Sequence, residues 1–189
     1  EAIALELDTN QAPGYYGIII AKKDSGITKL DLIKGKTFCF TDPNSTSGCL
    51  VPSVLFARDL KVDPKQYFRE VSFSGSHGAS ILAVKNGKVQ VAATNDIDMG
   101  RMVQKGAVSD EDFVVLWKSE LIPGSPIAAR KDLPSSLKAA VSGALLKLSG
   151  KKDILTKLGN GGYQFADDTT YDVIRYLKRL KKQLQEKQG

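Results

Sequence analysis

The chain has 189 residues, of which 42% are hydrophobic and 25% are charged, a composition typical of globular proteins with one or two domains. No apolar run approaches the roughly 20 residues that a membrane-spanning helix needs, and the longest, residues 15–21, has the length of a strand. Two cysteines and a single histidine exclude a disulfide-rich scaffold and a metal site built from several histidines.

The net charge of +6 is unevenly distributed along the sequence. Residues 130–189 contain 13 Lys and Arg against 6 Asp and Glu, and much of this excess lies in a predicted helix at 175–187. Such a helix could bind nucleic acid or anionic lipid. However, Leu177, Leu180 and Leu184 form an apolar stripe at i, i+3 and i+7, which favours a helix packed on a core with its basic face in solvent.

Apolar and β-branched runs predict strands, and helical periodicity between Gly, Pro, Asn and Asp breakers predicts helices. The predicted strands are at 15–22, 37–41, 69–73, 88–94, 113–118 and 127–130. The predicted helices are at 29–33, 49–60, 64–67, 79–84, 95–102, 135–148, 152–158 and 169–186. Pro52 is tolerated only in a first helical turn, which places the start of its helix near Gly48 or Cys49.

The alternation of strands and helices over residues 14–118 predicts an α/β sheet covered on both faces. In such sheets, ligands bind outside the carboxyl ends of the strands. Three turns lead from a predicted strand into a predicted helix, at 42–48, 74–78 and 94–98. We therefore expect these three turns to lie along one edge of the sheet.

The first of these turns carries three consecutive hydroxyl residues, Ser45, Thr46 and Ser47. The N–H groups of a first helical turn have no partner within the helix, and the helix dipole there favours negative charge. Hydroxyls beside such N–H groups form a donor cluster suited to a tetrahedral oxyanion. The alternative is that these residues are ordinary turn and capping residues.

The other two turns carry His77 and the pair Asp96 and Asp98. A histidine at a helix start, in a turn of glycines and serines, is interpreted as a donor to the same anion, although a lone histidine is more often structural. The two aspartates could stabilise a helix N-terminus, or they could pair with a cationic group or accept a hydrogen bond from a protonated oxygen of a ligand.

No constellation of residues typical of an enzyme is found. The chain has one histidine and no Gly-x-Ser-x-Gly sequence. Gly35-Lys36-Thr37 resembles the end of a phosphate-binding P-loop, but it leads into a strand instead of opening a helix. A hydroxyl site without a base, metal or nucleophile suits binding rather than turnover, so we predict no enzymatic activity, no cofactor and no metal.

The cysteines are Cys39, on a predicted strand, and Cys49, at the start of the following helix. A bridge between them is possible because a strand and the helix that follows it are neighbours. Two small buried thiols are the interpretation we favour.

Four motifs carry a resemblance to a known family. They are Pro13-Gly14-Tyr15-Tyr16, Lys23-Asp24-Ser25, the run 42–48 followed by Val51-Pro52, and Trp117-Lys118-Ser119 with Leu121-Ile122-Pro123-Gly124. In this order they resemble the phosphonate-binding proteins of bacterial ABC importers from about residue 13 to residue 130, with a looser helical similarity beyond.

The resemblance implies an α/β fold of the type II periplasmic-binding-protein class, with two lobes, a hinge of two crossing strands, and a ligand enclosed between the lobes. Residues 1–22 would be part of lobe 1 and a hinge strand, 23–118 the complete lobe 2, and 119–189 the return to lobe 1. The family has further βα units before the point that corresponds to residue 1, so lobe 1 is expected to be incomplete and to expose apolar surface. The absence of a signal peptide in residues 1–20 suggests a mature form or a fragment.

The resemblance also implies roles for single residues. Ser45, Thr46 and Ser47 match the hydroxyls that hold the phosphonate group, and His77 matches a histidine that hydrogen-bonds it. Tyr15 matches an aromatic residue of the pocket. Asp98 matches a position that is acidic in 2-aminoethylphosphonate binders, where it pairs with the ammonium group. The second such carboxylate is Ser125 here, which favours a smaller ligand such as phosphite, methylphosphonate or phosphate.

The expected function is that of a substrate-binding component of an ABC transporter, periplasmic or at the cell surface. Its expected partners are a small phosphorus oxyanion and a membrane permease, and not nucleic acid. The alternative is a ligand-sensing domain of a signalling protein on the same fold. A nucleic-acid binder that uses the basic terminal helix is a third hypothesis.

Overall fold

The structure is a computed structural model that describes residues 1–186 and divides into two compact units. Unit 1 comprises Glu1–Tyr15 and Leu121–Arg175. Unit 2 comprises Tyr16–Glu120 and the described part of the segment that begins at Tyr176. Among the described residues, no helix is both long enough and apolar enough to span a membrane.

The strands are numbered in chain order. They are β1 (Ala2–Leu7), β2 (Gly14–Lys22), β3 (Thr37–Phe40), β4 (Glu70–Phe73), β5 (Val91–Asn95), β6 (Phe113–Pro123), β7 (Pro126–Ala128) and β8 (Gly162–Gln164).

The α-helices are α1 (Val51–Val54), α2 (Pro64–Tyr67), α3 (His77–Lys85), α4 (Asp96–Gln104), α5 (Ser135–Leu148), α6 (Lys152–Leu158) and α7 (Asp172–Glu186). Wide helical turns precede and follow α1, at Thr46–Leu50 and Leu55–Asp59. Short 3₁₀ turns occur at Lys23–Ser25, Leu30–Ile33, Asp110–Asp112 and Asp168–Tyr171.

Unit 2 is built on a five-stranded mixed sheet with the order β4-β3-β5-β2-β6. Strand β3 pairs in parallel with β4 and with β5, and β2 pairs antiparallel with β5. The parallel trio follows from the helical connections between its members, since parallel neighbours need a crossover. The predicted α/β sheet is therefore present in this unit.

Both faces of this sheet are covered by apolar side chains. One face packs a cluster that includes Ile19, Phe38 and Phe56, and the other packs a cluster that includes Ile18 and Ile81. The alternation along β2, with Ile18 and Ile19 on opposite faces, is the period of two that a strand imposes. The expectation of a sheet buried on both sides is confirmed.

The two cysteines lie on opposite faces of the same sheet. Cys39 belongs to the cluster with Ile81, whereas Cys49 belongs to the cluster with Phe56. Both thiols are free and buried. The sheet between them explains why a neighbouring strand and helix do not bring these two sulfur atoms together.

Unit 1 has a three-stranded antiparallel sheet with the order β7-β1-β8. Helix α5 packs on β1 and β8, and the buried hydroxyl of Ser142 donates a hydrogen bond of 2.8 Å to the carbonyl of Ile3. The predicted strands include neither β1 nor the three-residue strand β8. Strands this short carry too little alternation to be detected.

Several element boundaries differ from those predicted. The strand predicted at 88–94 begins only at Val91, because the chain reverses direction after α3. In this reversal the backbone N–H groups of Lys88 and Val89 both donate hydrogen bonds to the carbonyl of Ala83. Strand β6 continues to Pro123, five residues beyond the predicted strand at 113–118. The last helix begins at Asp172, after a 3₁₀ turn that is capped by Asp167.

The basic terminal helix α7 has the predicted amphipathic character. Leu177, Leu180 and Leu184 are half-buried, whereas Lys178 and Lys182 are exposed. This pattern fits a helix that packs by its leucine stripe and leaves its charges in solvent. Lys187, the last residue of the basic segment identified in the sequence, lies outside the described residues.

The compact units differ from the predicted segments at two places. Most of β2 belongs to unit 2, because residues 17–21 pair with β5. Residues 176–186 also belong to unit 2, where Lys181 Nζ lies 3.7 Å from Cys49 Sγ. The assignment of these units to the lobes of a binding protein stays a prediction.

Candidate functional site

Three helices of unit 2 begin at one edge of its sheet. Strands β3, β4 and β5 run in parallel, so their carboxyl ends share this edge. The helical segment that starts at Thr46 follows β3, α3 follows β4, and α4 follows β5. The sequence-based expectation that the three turns lie at one edge is confirmed, and the edge gathers three helix N-termini and their free N–H groups.

Ser45 caps the first of these helical segments. Its Oγ accepts a hydrogen bond of 3.0 Å from Gly48 N, and its carbonyl accepts from Leu50 N at 2.9 Å. The helix therefore starts at Thr46, so the predicted start near Gly48 or Cys49 was wrong by two or three residues. The wide first turn explains the error, since it allows Pro52 to lie further from the helix start than an ordinary α-turn does.

Gly48 is required by the close approach of this turn to the end of β3. A Cβ atom added at Gly48 would lie 2.2 Å from Thr41 Oγ1 and 2.9 Å from Ser45 Oγ. The Gly48 carbonyl accepts from Thr41 N at 3.0 Å, which attaches the turn to the strand end. Any larger residue would push the hydroxyl turn away from the sheet.

Thr46 and Ser47 occupy the first turn of the helix itself. Thr46 is half-buried and Ser47 is 1% exposed. Within the described residues of unit 2, the backbone N–H groups of these two residues have no hydrogen-bond acceptor, as the geometry of a helix start requires. Two N–H donors therefore accompany the hydroxyls of the turn.

His77, the first residue of α3, reaches the hydroxyl turn with its ring. Its Nε2 lies 3.4 Å from Ser45 Oγ, and its Nδ1 lies 3.2 Å from Thr94 Oγ1. Burial lowers the pKa of His77 below its ordinary value, against the opposing effect of the Asp98 carboxylate. The imidazole is thus neutral at pH 7 and carries one N–H donor.

The aspartates of the third turn have different structural roles. Asp96 accepts a hydrogen bond of 2.9 Å from the backbone N–H of Tyr16, which ties the start of α4 to β2. Asp98 accepts from the Asn95 side chain at 2.8 Å, while Asn95 caps the helix through Asp98 N at 2.7 Å. Asp98 also lies 3.8 Å from the exposed Arg101. Its carboxylate is close enough to the imidazole to affect the pKa of His77.

Tyr15 is the one predicted site residue that lies in unit 1. It is on β2, it is half-buried, and it is the last residue of the first segment of that unit. Its place in a ligand pocket stays a prediction.

Four hydroxyl residues behind His77 were missed by sequence reasoning. Thr41, Ser80 and Thr94 are buried, and Ser74 lies 2.7 Å from Ser80 through their Oγ atoms. Thr41 and Thr94 each stand at or directly after the end of a strand that leads into the site, which was the available signal. Nothing in the sequence, however, shows that Thr41 and Thr94 face the same histidine.

Comparison with known proteins identifies the family. Residues 1–171 match the family of periplasmic substrate-binding proteins of phosphonate ABC transporters. The phosphonates-binding periplasmic protein of Escherichia coli is 32% identical over 188 residues, covering 96% of this chain and 55% of that protein. A phosphate-import protein of Mycolicibacterium smegmatis is 33% identical over 135 residues, covering 67% of this chain and 41% of that protein.

A solved structure shows the same fold. The binding-protein component of an ABC phosphonate transporter from Pseudomonas aeruginosa is 34% identical, with a TM-score of 0.82 over 97% of this chain and 63% of that one. The chain belongs to the phosphonate-binding family of periplasmic substrate-binding proteins, and the expected type II fold is confirmed. It spans between about two-fifths and two-thirds of the length of these relatives.

Proposed function

We propose that this chain is the part of a substrate-binding protein that holds a small phosphorus oxyanion for import by an ABC permease. The observation that carries the proposal is the donor cluster at the start of the first helical segment, where the open N–H groups of Thr46 and Ser47 lie beside the paired Ser45 and His77 side chains. Ser45, Thr46, Ser47 and His77 would bind the phosphorus oxygens.

The chemistry of these donors suits reversible binding. Hydrogen bonds from N–H and O–H groups to a charged oxygen are stronger than those between neutral partners. The helix dipole adds favourable potential at the same place. Because the donors carry no net charge, release of the anion leaves no unpaired buried cation behind, which favours a carrier that must both bind and release.

Asp98 and Ser125 bear on the identity of the ligand. An acidic Asp98 at the edge of the site suits a ligand with an ammonium group, and Tyr15 would contribute an aromatic side chain to ligand binding. A single carboxylate, with Ser125 at the second position, favours phosphite, methylphosphonate or phosphate over an aminophosphonate. The names of the relatives, which include both phosphonate and phosphate carriers, agree with this range.

The remaining parts of the proposal follow from family membership. The protein would act outside the cytoplasmic membrane, in the periplasm or at the cell surface, and deliver its ligand unchanged to a permease. Unit 2 would correspond to lobe 2 and unit 1 to the part of lobe 1 that this chain contains. A ligand-sensing role on the same fold would differ in its protein partner and not in its site.

Calorimetric titration with phosphite, methylphosphonate, 2-aminoethylphosphonate, phosphate and sulfate tests the proposal. We expect the tightest binding from one of the first two or from phosphate, and recovery of the ligand without chemical change. If sulfate binds tightest, the assignment to a phosphorus oxyanion is wrong.

A further inference from the structure

The ring of His77 is held between two different sets of hydroxyl groups. Nε2 faces Ser45 Oγ at 3.4 Å, on the side of the proposed site. Nδ1 faces Thr94 Oγ1 at 3.2 Å and Thr41 Oγ1 at 3.5 Å, on the side of the sheet. A neutral imidazole carries a proton on only one of these two nitrogens. The hydroxyls around Nδ1 decide which nitrogen it is.

The hydrogen of the Thr41 hydroxyl is already engaged. Thr41 Oγ1 donates to the carbonyl of Ala93 at 3.1 Å, which is the shortest of its contacts. Its other hydroxyl neighbour, Ser80, lies 3.4 Å away, and Ser80 itself has a closer partner in Ser74 at 2.7 Å. Since the Ser74 hydroxyl donates to Ser76 O, the Ser80 hydrogen goes to Ser74. Thr41 can therefore only accept from the imidazole.

The hydrogen of the Thr94 hydroxyl, unlike that of Thr41, has no backbone carbonyl to bond to in the part of unit 2 that the structure describes. Thr94 is fully buried, and within the described residues of unit 2 its hydroxyl has one hydrogen-bond partner, Nδ1 of His77. If Nδ1 carried the ring proton, the hydrogen of Thr94 would be buried without an acceptor in this unit. Leaving such a group unsatisfied shifts an equilibrium by a factor of roughly 5 to 150, which is enough to select one tautomer.

We propose that Thr94 is a positioning residue, which donates its hydroxyl hydrogen to Nδ1 of His77 and thereby keeps the ring proton on Nε2, beside Ser45. The consequence for ligand binding rests on the proposed function. With Nε2 protonated, both His77 and Ser45 present hydrogens to an oxyanion. With Nδ1 protonated, Nε2 would present a lone pair and would repel it.

The neutral state of the ring strengthens this assignment. Burial lowers the pKa of His77, so at pH 7 the imidazole has a single proton to place. The arrangement makes the choice of tautomer a property of the folded protein, set before any ligand arrives. Preorganisation of this kind avoids a rearrangement on binding.

Nitrogen-15 NMR of histidine-labelled protein, without a histidine tag, tests the assignment directly. His77 is the single histidine of the chain, so its two ring nitrogens give the only imidazole signals. In the ligand-free protein at pH 7 we expect Nε2 to be protonated and Nδ1 to be unprotonated. The opposite pattern would overturn the proposal without reference to any ligand.

Three variants distinguish Thr94 from its surroundings. Thr94→Val keeps the shape and removes the donor, so Nδ1 is left with the acceptor Thr41 and we expect protonated Nδ1 to become populated. Thr94→Ser should restore protonated Nε2. Thr41→Val, the matched control, removes only the hydroxyl that cannot donate to the ring, and Nε2 should stay protonated. An unchanged spectrum in Thr94→Val would show that Thr94 does not select the tautomer.

Measurements of ligand affinity then distinguish a failure of this inference from a failure of the proposed function. We expect Thr94→Val to weaken methylphosphonate binding about three- to tenfold, the range for one buried hydrogen bond, and Thr94→Ser to recover most of the affinity. If wild-type protein shows the expected tautomer but binds none of the phosphorus oxyanions, the proposed function fails while the role of Thr94 stands. If Thr94→Val changes the tautomer but not the affinity, the tautomer of His77 does not affect ligand binding, and the positioning role of Thr94 in binding is rejected.

Discussion

The two units differ in how completely their own residues bury their apolar side chains. In unit 2 the sheet has a buried cluster of apolar side chains on each face. Within one cluster, each of the four phenylalanine rings at 38, 40, 56 and 68 contacts at least two of the others. In unit 1 several large apolar side chains are exposed, among them Leu158 at 55% and Phe165 at 63%. Unit 2 also exposes a few apolar side chains, such as Phe73 at 51%, but both large buried clusters belong to it. The candidate donor cluster thus lies on the unit with the larger buried core, which keeps its donors in fixed positions.

The largest expected effect is the loss of stability when a phenylalanine ring is removed from unit 2, compared with the same change in unit 1. Phe38→Ala removes a fully buried ring from the centre of unit 2 and should lower the free energy of unfolding by about 3–5 kcal/mol. Phe165→Ala in unit 1, the matched control, removes a ring that is mostly in solvent and should change it by less than about 1 kcal/mol. Urea unfolding measures both, and equal losses would show that unit 1 is packed as tightly as unit 2.

The next effect concerns the attachment of the hydroxyl turn to the sheet. Gly48→Ala forces a Cβ atom against Thr41, and we expect a loss of about 1–3 kcal/mol in stability together with weaker anion binding. Gly100→Ala on α4 meets open space and should stabilise the protein slightly, since alanine is the better helix former. Thermal unfolding of both variants tests this. If Gly48→Ala changes neither stability nor anion binding, the turn can move away from β3 without loss.

The donors themselves should have a smaller but selective effect. Ser45→Ala and His77→Ala should each weaken anion binding by at least about 1 kcal/mol, because each leaves a charge-assisted hydrogen bond unmade. Ser109→Ala removes a comparable cap elsewhere in unit 2 and should lower stability without changing affinity. Calorimetry on the three variants separates binding from capping, and unchanged affinity in both site variants would place the ligand elsewhere.

The smallest expected effect is a dependence of stability on pH. Burial lowers the pKa of His77 below 6.5, so near that pH the unfolded chain binds more protons than the folded one. Stability should therefore fall as the pH drops from about 7.5 to 5.5. His77→Gln should show a flatter profile over this range, as measured by urea unfolding.

Much of unit 2 could be predicted from its local sequence. The strand before the hydroxyl turn, the three turns and the capping residues at the helix starts were all visible, because turn and capping chemistry acts over a few residues. The errors were in boundaries, such as the helix start at Thr46, where the wide turn departs from ordinary α-helical geometry. Motif resemblance then identified the family, which the comparisons confirmed.

The partners of His77 could not be predicted from the sequence. Thr41 and Thr94 come from two strands separated by more than fifty positions, and only the parallel pairing of β3 with β5 brings them to one ring. The same is true of Asp96, whose bond to the Tyr16 backbone depends on β2 lying beside β5. Contacts between distant segments follow from sheet order, and sheet order has no local signature.

The sequence by itself determined the class of fold, the hydroxyl turn and the solitary histidine, since each of these depends on residues that are neighbours in the chain. The tertiary structure decided which hydroxyls surround that histidine, which thiols are kept apart by the sheet, and which aspartate ties α4 to β2. The physical reason is that a hydrogen bond between side chains needs an approach of about 3 Å, and for distant residues only the packed sheet and helices determine it.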